Sequence, residues 1–306
     1  MSLSLMNTKE VADYLNIHEK QVYALIKAGR LPATRVTGKW IFPKNMVDNW
    51  IEEQAKITLE DAKLKTGRIE GALLAAGSND PALDILLTSM HLSHPEFIIF
   101  TATMGSIEGL KALGHGYTDV AWSHLFDPQT GSYNTAEALA PYLNHIKAVV
   151  VHLFNRDIGW LVPPGNPLGI EGFDDIATKK PKIVNRQPGA GTRVYLDYRL
   201  KMAGIAPELI PGYNDVVFTH MDAGLAVLTG NADTALASIS MAKLLGLKAI
   251  PVTTESFDMV LEQTTFFTKG IQTFMNALQA KDFQDRVSNL GGYDFKNAGH
   301  VIHATV

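Results

Sequence analysis

Residues 185–193, NRQPGAGTR, set two arginines, two glycines, a proline and a threonine between an apolar stretch and a helix-forming run. Free backbone N–H groups at a helix start, guanidinium groups and a hydroxyl are all donors, so this loop reads as a cradle for an anion. Four more loops of similar character precede helix-forming runs. AGSNDP carries Ser78 and Asn79, TMGS carries Ser106, WSHLFD carries Ser123 and His124, and FTHMDAG carries Thr219, His220 and Asp222. Any one of them is explained by helix capping alone. Asp222 is expected to be a cap, since it would repel an anion, and His124 and His220 read as surface or supporting residues. Five such loops together point to one anion site, built from Ser78, Asn79, Ser106, Ser123, Arg186, Gly189, Gly191, Thr192, Arg193 and Thr219.

The pattern excludes other chemistry. The Arg186–Arg193 loop has neither the Gly-Lys-Ser/Thr ending of a Walker loop nor the glycine spacing of a dinucleotide fingerprint. Among 306 residues there is no cysteine, which removes thiolate metal sites, cysteine nucleophiles and a disulfide framework. Neither a paired His/carboxylate helix motif nor a nucleophile elbow is present. The sequence therefore names no catalytic residue, no metal and no cofactor.

These loops need strands and helices to hold them. With 46% hydrophobic and 19% charged residues the chain can fill packed cores, and its length suits about two domains. From residue 70 onward, strand-like runs alternate with helix-like ones, the signature of parallel sheets covered by helices. AVVVHLF and GWLVPPG read as two strands, and GIQTFMNALQAKDFQDRVSNL as a final helical stretch. Three of the loops precede the apolar strands near 148–162 and two follow them, which implies two lobes with a cleft between. The most apolar window, IKAVVVHLF, is far too short to span a membrane. Met1–Leu5 reads as a leader too short for an export signal, so the chain is expected in the cytoplasm.

The first 51 residues differ. They hold seven Lys/Arg against four Asp/Glu, whereas the other 255 hold 20 against 27. Thr8 precedes a first helix, the turn NIH leads to a second ending at Gly29, and TRVTGKWIF reads as a hairpin around Thr37-Gly38. In a helix-turn-helix the second helix enters the major groove. Here it would present His18, Lys20, Gln21, Tyr23 and Lys27, with Arg35 and Lys39 on the wing and Trp40 and Phe42 seating the hairpin. The segments are expected to be a DNA-binding domain at 1–55, a connector at 56–69 with possible helix, and a ligand-sensing domain at 70–306.

The stretch TKEVADYLNIHEKQVYALIKAGRLPATRVTGKWIFPKNMVDNWI resembles the excisionase-like winged helix-turn-helix family, related to the heads of the MerR regulators. VNRQPGAGTRVYLD, MDAGLAVLTGNADTALAS and GGYDFKNAG are similar to the binding-protein-like domain found fused to helix-turn-helix regulators and molybdopterin-related proteins. That domain is in turn similar to the periplasmic molybdate and tungstate receptors. The resemblance implies an α/β, two-lobed type II periplasmic-binding-protein-like domain preceded by a small winged helix-turn-helix domain. It implies Arg186 and Thr192 as the best-supported contacts, while AGSND lacks the receptors' run of hydroxyls. The expected function is a one-component transcriptional regulator, a homodimer on an inverted-repeat operator, sensing molybdate or tungstate. An enzyme or cofactor-handling protein acting on a molybdenum-cofactor precursor, or an anion buffer whose head docks to protein, stay open on the sequence.

Overall fold

The computed structural model describes residues 4–36, 38–51, 71–143 and 146–304. The chain divides into two units, 1–70 and 71–306. The expected connector at 56–69, and Thr37 in the hairpin turn, lie outside the described residues.

The first unit opens with strand β1 (Leu5–Met6) and helix α1 (Thr8–Leu15). Asn7, rather than Thr8, caps α1: its Oδ1 accepts from the amides of Lys9 and Glu10, and Glu10 answers by accepting from Asn7 N–H. Asn16 turns the chain in the left-handed conformation (φ 53°), and helix α2 (Glu19–Lys27) follows. Strands β2 (Thr34–Val36) and β3 (Lys39–Pro43) form the wing, and the backbone is helical again (α3) over 44–51. β1 pairs with the free edge of β3, so Leu5 belongs to a three-stranded sheet instead of an idle leader. Val11, Val22, Phe42 and Val47 are fully buried at the centre. Each contributes about 1.5–3 kcal/mol of burial, enough to fix so small a core.

The second unit has the expected α/β alternation. Lobe 1 runs β4 (Ala72–Gly77), α4 (Pro81–Ser93), β5 (Ile98–Thr103), α5 (Ser106–Gly114), β6 (Val120–Ser123) and α6 (Ala136–Leu143). Strand β7 (Ala148–Val162) crosses to lobe 2, which runs α7 (Phe173–Lys179), β8 (Ile183–Arg186), α8 (Gly191–Met202), β9 (Val216–Val217), α9 (His220–Leu228), β10 (Thr234–Ser238) and α10 (Ser240–Leu245). Strand β11 (Lys248–Glu262) returns to lobe 1, where α11 (Gln263–Phe266), α12 (Lys269–Gln279), α13 (Lys281–Ser288), β12 (Tyr293–Asp294) and β13 (Val301–Ala304) finish the fold. The sheet order is β5-β4-β6-β11-β7-β10-β8-β9.

Strands β4–β6 of lobe 1 and β8–β10 of lobe 2 are parallel, and β7 and β11 join the lobes as one antiparallel pair. The expected two strands at 148–162 are therefore one. The polar triplet Asn155-Arg156-Asp157, which breaks the apolar run, is not a turn: it sits mid-strand at the crossing, where Arg156 pairs in register with Glu255. Register shifts at Pro251/Thr253 and Phe257/Asp258 bend the pair between lobes. The final helical stretch breaks at Ala280, and β12 and β13 add themselves to β7. Trp122, Phe154, Phe257 and Phe274 anchor a core of lobe 1, and Trp160, Phe173, Tyr195 and Leu236 one of lobe 2.

Candidate functional site

A row of buried charges marks the crossing. Arg156, with no solvent exposure, donates from Nε to Glu255 Oε1 (2.7 Å) and from Nη1 to Asp80 Oδ2 (2.5 Å). Asp80 also caps α4 through the Ala82 amide and accepts from the Tyr293 hydroxyl. Glu255 Oε2 lies 3.1 Å from Nδ1 of fully buried His124. Burial alone would raise the Glu255 pKa, but His124 and Arg156 outweigh it and hold the carboxyl at about 2. Burial likewise opposes the charge on Arg156, and Glu255 and Asp80 more than restore it.

Arg186 stands at the end of β8, on the lobe 2 side, in a different position. It is 2% exposed. Its Nη2 donates to Phe218 O (2.6 Å) and its Nε makes a long contact with Gln187 Oε1 (3.4 Å). Nη1 is buried without a protein partner, and no carboxylate pairs with this guanidinium among the described residues. Burial, then repulsion from Arg156, lowers its pKa to about 10. A buried cation without a counter-ion costs several kcal/mol, so the site is built for an anion to join it.

Around Arg186 other buried polar atoms also lack hydrogen-bond partners among the described residues: Gln187 Nε2, Thr192 Oγ1, both ring nitrogens of His124 and His220 Nε2. His220 Nδ1 accepts from the Ser238 amide (3.2 Å), which places the ring proton on Nε2 as a donor. Burial, then Arg156, Arg186 and His124, hold its pKa well below 6.5, so it is a neutral donor. On lobe 1, Ser78 and Ser106 share a hydrogen bond (3.0 Å), and Ser106 accepts from the His124 amide (3.1 Å). One serine O–H remains free to donate.

The lobes meet closely here. A Cβ on Gly191 would lie 2.2 Å from His124 O, so only glycine lets α8 begin against lobe 1. Gly189 adopts φ +85°, and its carbonyl accepts from the Ile107 amide at the start of α5. Thus Ser78 and Ser106 bond to each other on lobe 1, and Gly189 and Gly191, in the loop that also carries Arg186 and Thr192, abut that lobe. Three expected contacts are engaged elsewhere. Ser123 donates to Asn134 Oδ1 (2.6 Å) within a buried network that reaches Asp258 and His152. Arg193 pairs with Asp197, donates to Arg186 O and lies over Tyr213. Thr219 caps α9 by accepting from the Asp222 amide, and Asp222 completes that capping box. Asn79 offers its carbonyl to Arg156 (3.4 Å), and its Oδ1 is buried without a partner.

The sequence reading missed Asp80, Arg156, Glu255 and Gln187, and it placed both histidines at the periphery when each is wholly buried. The signal was available for Arg156 and Glu255: ionisable residues inside strand-like apolar runs. His124, His220 and Glu255 bring ligand-type atoms within 4.8 Å of one another, the arrangement of a cation site. Two facts oppose a cation there. His220 Nε2 carries its proton, and the guanidiniums of Arg156 and Arg186 make the surroundings positive.

In the first unit His18, Lys20, Gln21, Tyr23, Lys27, Arg35 and Lys39 are all exposed. Gln21 Oε1 accepts from the His18 amide at the start of α2 (3.0 Å), which leaves its NH2 for an outside acceptor. Arg35 donates to Gly38 O and rests over Trp40, and Phe42 is fully buried beneath the wing.

The model of the PBP superfamily domain matches residues 87–279, and that of a helix-turn-helix domain matches residues 5–55. The Bacillus subtilis protein YvgK, of uncharacterised function, is 30% identical over 97% of both chains. A Clostridium perfringens structure described as a phosphate ABC transporter substrate-binding protein with bound phosphate is similar in fold. At 14% identity it covers 74% of this chain and all of its own, with a TM-score of 0.57. The Synechocystis CcmR regulatory domain in complex with 2-PG, at 13% identity, covers 68% of this chain and 95% of its own (TM-score 0.50). These structures share the two-lobed fold, and this chain belongs to the PBP superfamily, its PBP domain preceded in sequence by a helix-turn-helix domain.

Proposed function

We propose that the protein is a one-component transcriptional regulator that binds DNA through its first unit and senses a small oxyanion between the lobes of its second. One observation carries the ligand reading: among the described residues, buried Arg186 has a free Nη1 and no carboxylate partner, beside unpartnered donors on Thr192, Gln187 and His220. Lobe 2 donors alone fit molybdate or tungstate, dianions with no proton to place. Which oxyanion is preferred depends on what lobe 1 presents. That helix-turn-helix and PBP-type domains share one chain supports a regulator over an enzyme. A DNA target sets the site of action in the cytoplasm, and the small head suits a homodimer on an inverted repeat, where two copies double the contact surface.

The exposed Lys20, Lys27, Arg35 and Lys39 carry the DNA reading. The test is binding to genomic fragments across a salt series, with and without oxyanion. Affinity should fall steeply with salt, as phosphate neutralisation requires, and change when anion is added. Lys20→Ala should weaken binding to all fragments alike. Gln21→Ala should mainly relax sequence preference. Affinity insensitive to salt would refute the DNA assignment.

A further inference from the structure

We propose that the cleft selects an oxyanion that still carries a proton, because lobe 2 presents donors while lobe 1 presents His124 Nε2 as an acceptor. The inference rests on the oxyanion reading above and names its chemical class.

On lobe 2 the unpartnered groups are Nη1 of Arg186, the amide NH2 of Gln187, the hydroxyl of Thr192 and Nε2–H of His220. All can donate to anion oxygens. Lobe 1 adds one O–H from the Ser78–Ser106 pair. His124 is of the other kind. Its ring is wholly buried and stacks on Phe257, with Nδ1 3.1 Å from Glu255 Oε2. The geometry completes no hydrogen bond there, but a carboxylate charge 3.1 Å from Nδ1 favours the ring proton on that nitrogen and leaves the lone pair on Nε2. Glu255 cannot turn away, because Arg156 binds its other oxygen and is itself held by Asp80.

The groups facing the ring come from several elements: Glu255 of β11, Arg156 of β7, Arg186 of β8 and His220 of α9. Burial first, then the two guanidiniums, oppose a second proton on the imidazole, while Glu255 favours it; the net shift is downward from 6.5. Nε2 thus remains an acceptor in need of a donor. Sulfate, molybdate and tungstate offer it only lone pairs. Monohydrogen phosphate or arsenate offers one O–H to His124 and its remaining oxygens to lobe 2. Asn79 Oδ1, buried without a partner in the Ser78 loop, is a further acceptor on the same lobe.

The test is calorimetric titration of the full chain near neutral pH with two pairs of similar size: phosphate against sulfate, and arsenate against molybdate. Proton and size are then separated. Phosphate should exceed sulfate, and arsenate molybdate, by at least about tenfold, the ratio one buried hydrogen bond supports. In His124→Leu both ratios should collapse toward one while sulfate binding persists. Sulfate matching phosphate, together with molybdate matching arsenate, would overturn the selection and leave the oxyanion reading standing. Ratios unchanged in a folded His124→Leu would also overturn it. Should that variant fail to fold, the wild-type series decides. If none of the four anions binds, the oxyanion reading itself falls, and this inference with it.

Discussion

Arg156 and Arg186 are the two most deeply buried arginines of the PBP domain, and their surroundings are opposite. Arg156 has two carboxylates, one on each side, and is 0% exposed. Arg186 is 2% exposed with a backbone carbonyl and an amide oxygen for company. Desolvation penalises both. In the first case the protein supplies the compensation and in the second it does not. The difference separates a charge that holds the fold at the lobe crossing from a charge that waits for a ligand.

The largest effect should come from breaking the compensated arginine. Arg156→Met leaves Asp80 and Glu255 buried near each other without their cation. We expect about 3–5 kcal/mol loss in the body's unfolding free energy, read by denaturant unfolding. Arg186→Met should go the other way in the absence of anion. It removes an uncompensated buried charge, so stability should be unchanged or higher. A loss as large as that of Arg156→Met would erase the contrast.

Acid should sharpen it next. His220 is held neutral in the fold, with its pKa well below 6.5. The unfolded chain takes up that proton as pH falls through about 6.5, so stability declines from there downward. Glu255, at about 2 in the fold against an ordinary 4.5, stays ionised when folded. Its contribution is complete above about 4.5 and is lost as pH falls from there toward 2. Unfolding measured against pH should therefore show two falling limbs. His124, also shifted down, adds to the upper limb, so His220→Gln should shrink that limb without abolishing it and leave the lower, and no change in the upper limb would contradict the neutral-donor role.

The smallest effects distinguish the serines. Ser123→Ala should cost stability, about 1 kcal/mol, by removing the donor to buried Asn134, with little change in anion affinity. Ser78→Ala should cost about 1 kcal/mol of anion binding as well as the stability of its buried bond to Ser106. Parallel melting and calorimetry of both variants check this.

The sequence announces loops better than it announces partners. Loops at strand ends are legible because turn and cap residues are local: Asp222 was readable as a cap from its place at the start of a helix. Ser123 and Thr219 look the same in sequence, yet one donates to Asn134 and the other caps α9. Hydroxyls serve capping, packing and ligands alike, and only tertiary neighbours decide. The row Asp80–Arg156–Glu255–His124 spans more than 170 residues of chain, so no local pattern could assemble it. The Arg156 segment even misled, because a polar triplet inside an apolar run imitates a turn. The head was read more completely, since two helices, a tight turn and a wing follow one another within some 45 residues and pack locally.

The most direct test of an anion at Arg186 is calorimetric titration of wild type and Arg186→Met with phosphate, sulfate, arsenate, molybdate and tungstate, with a melting curve for each protein free of anion. At least one of these anions should bind wild type tighter than millimolar. Arg186→Met should lose about 2–4 kcal/mol of that affinity yet melt no lower than wild type. Undiminished affinity in Arg186→Met, or no binding of any oxyanion to wild type, would overturn the role of Arg186 as a charge that waits for a ligand.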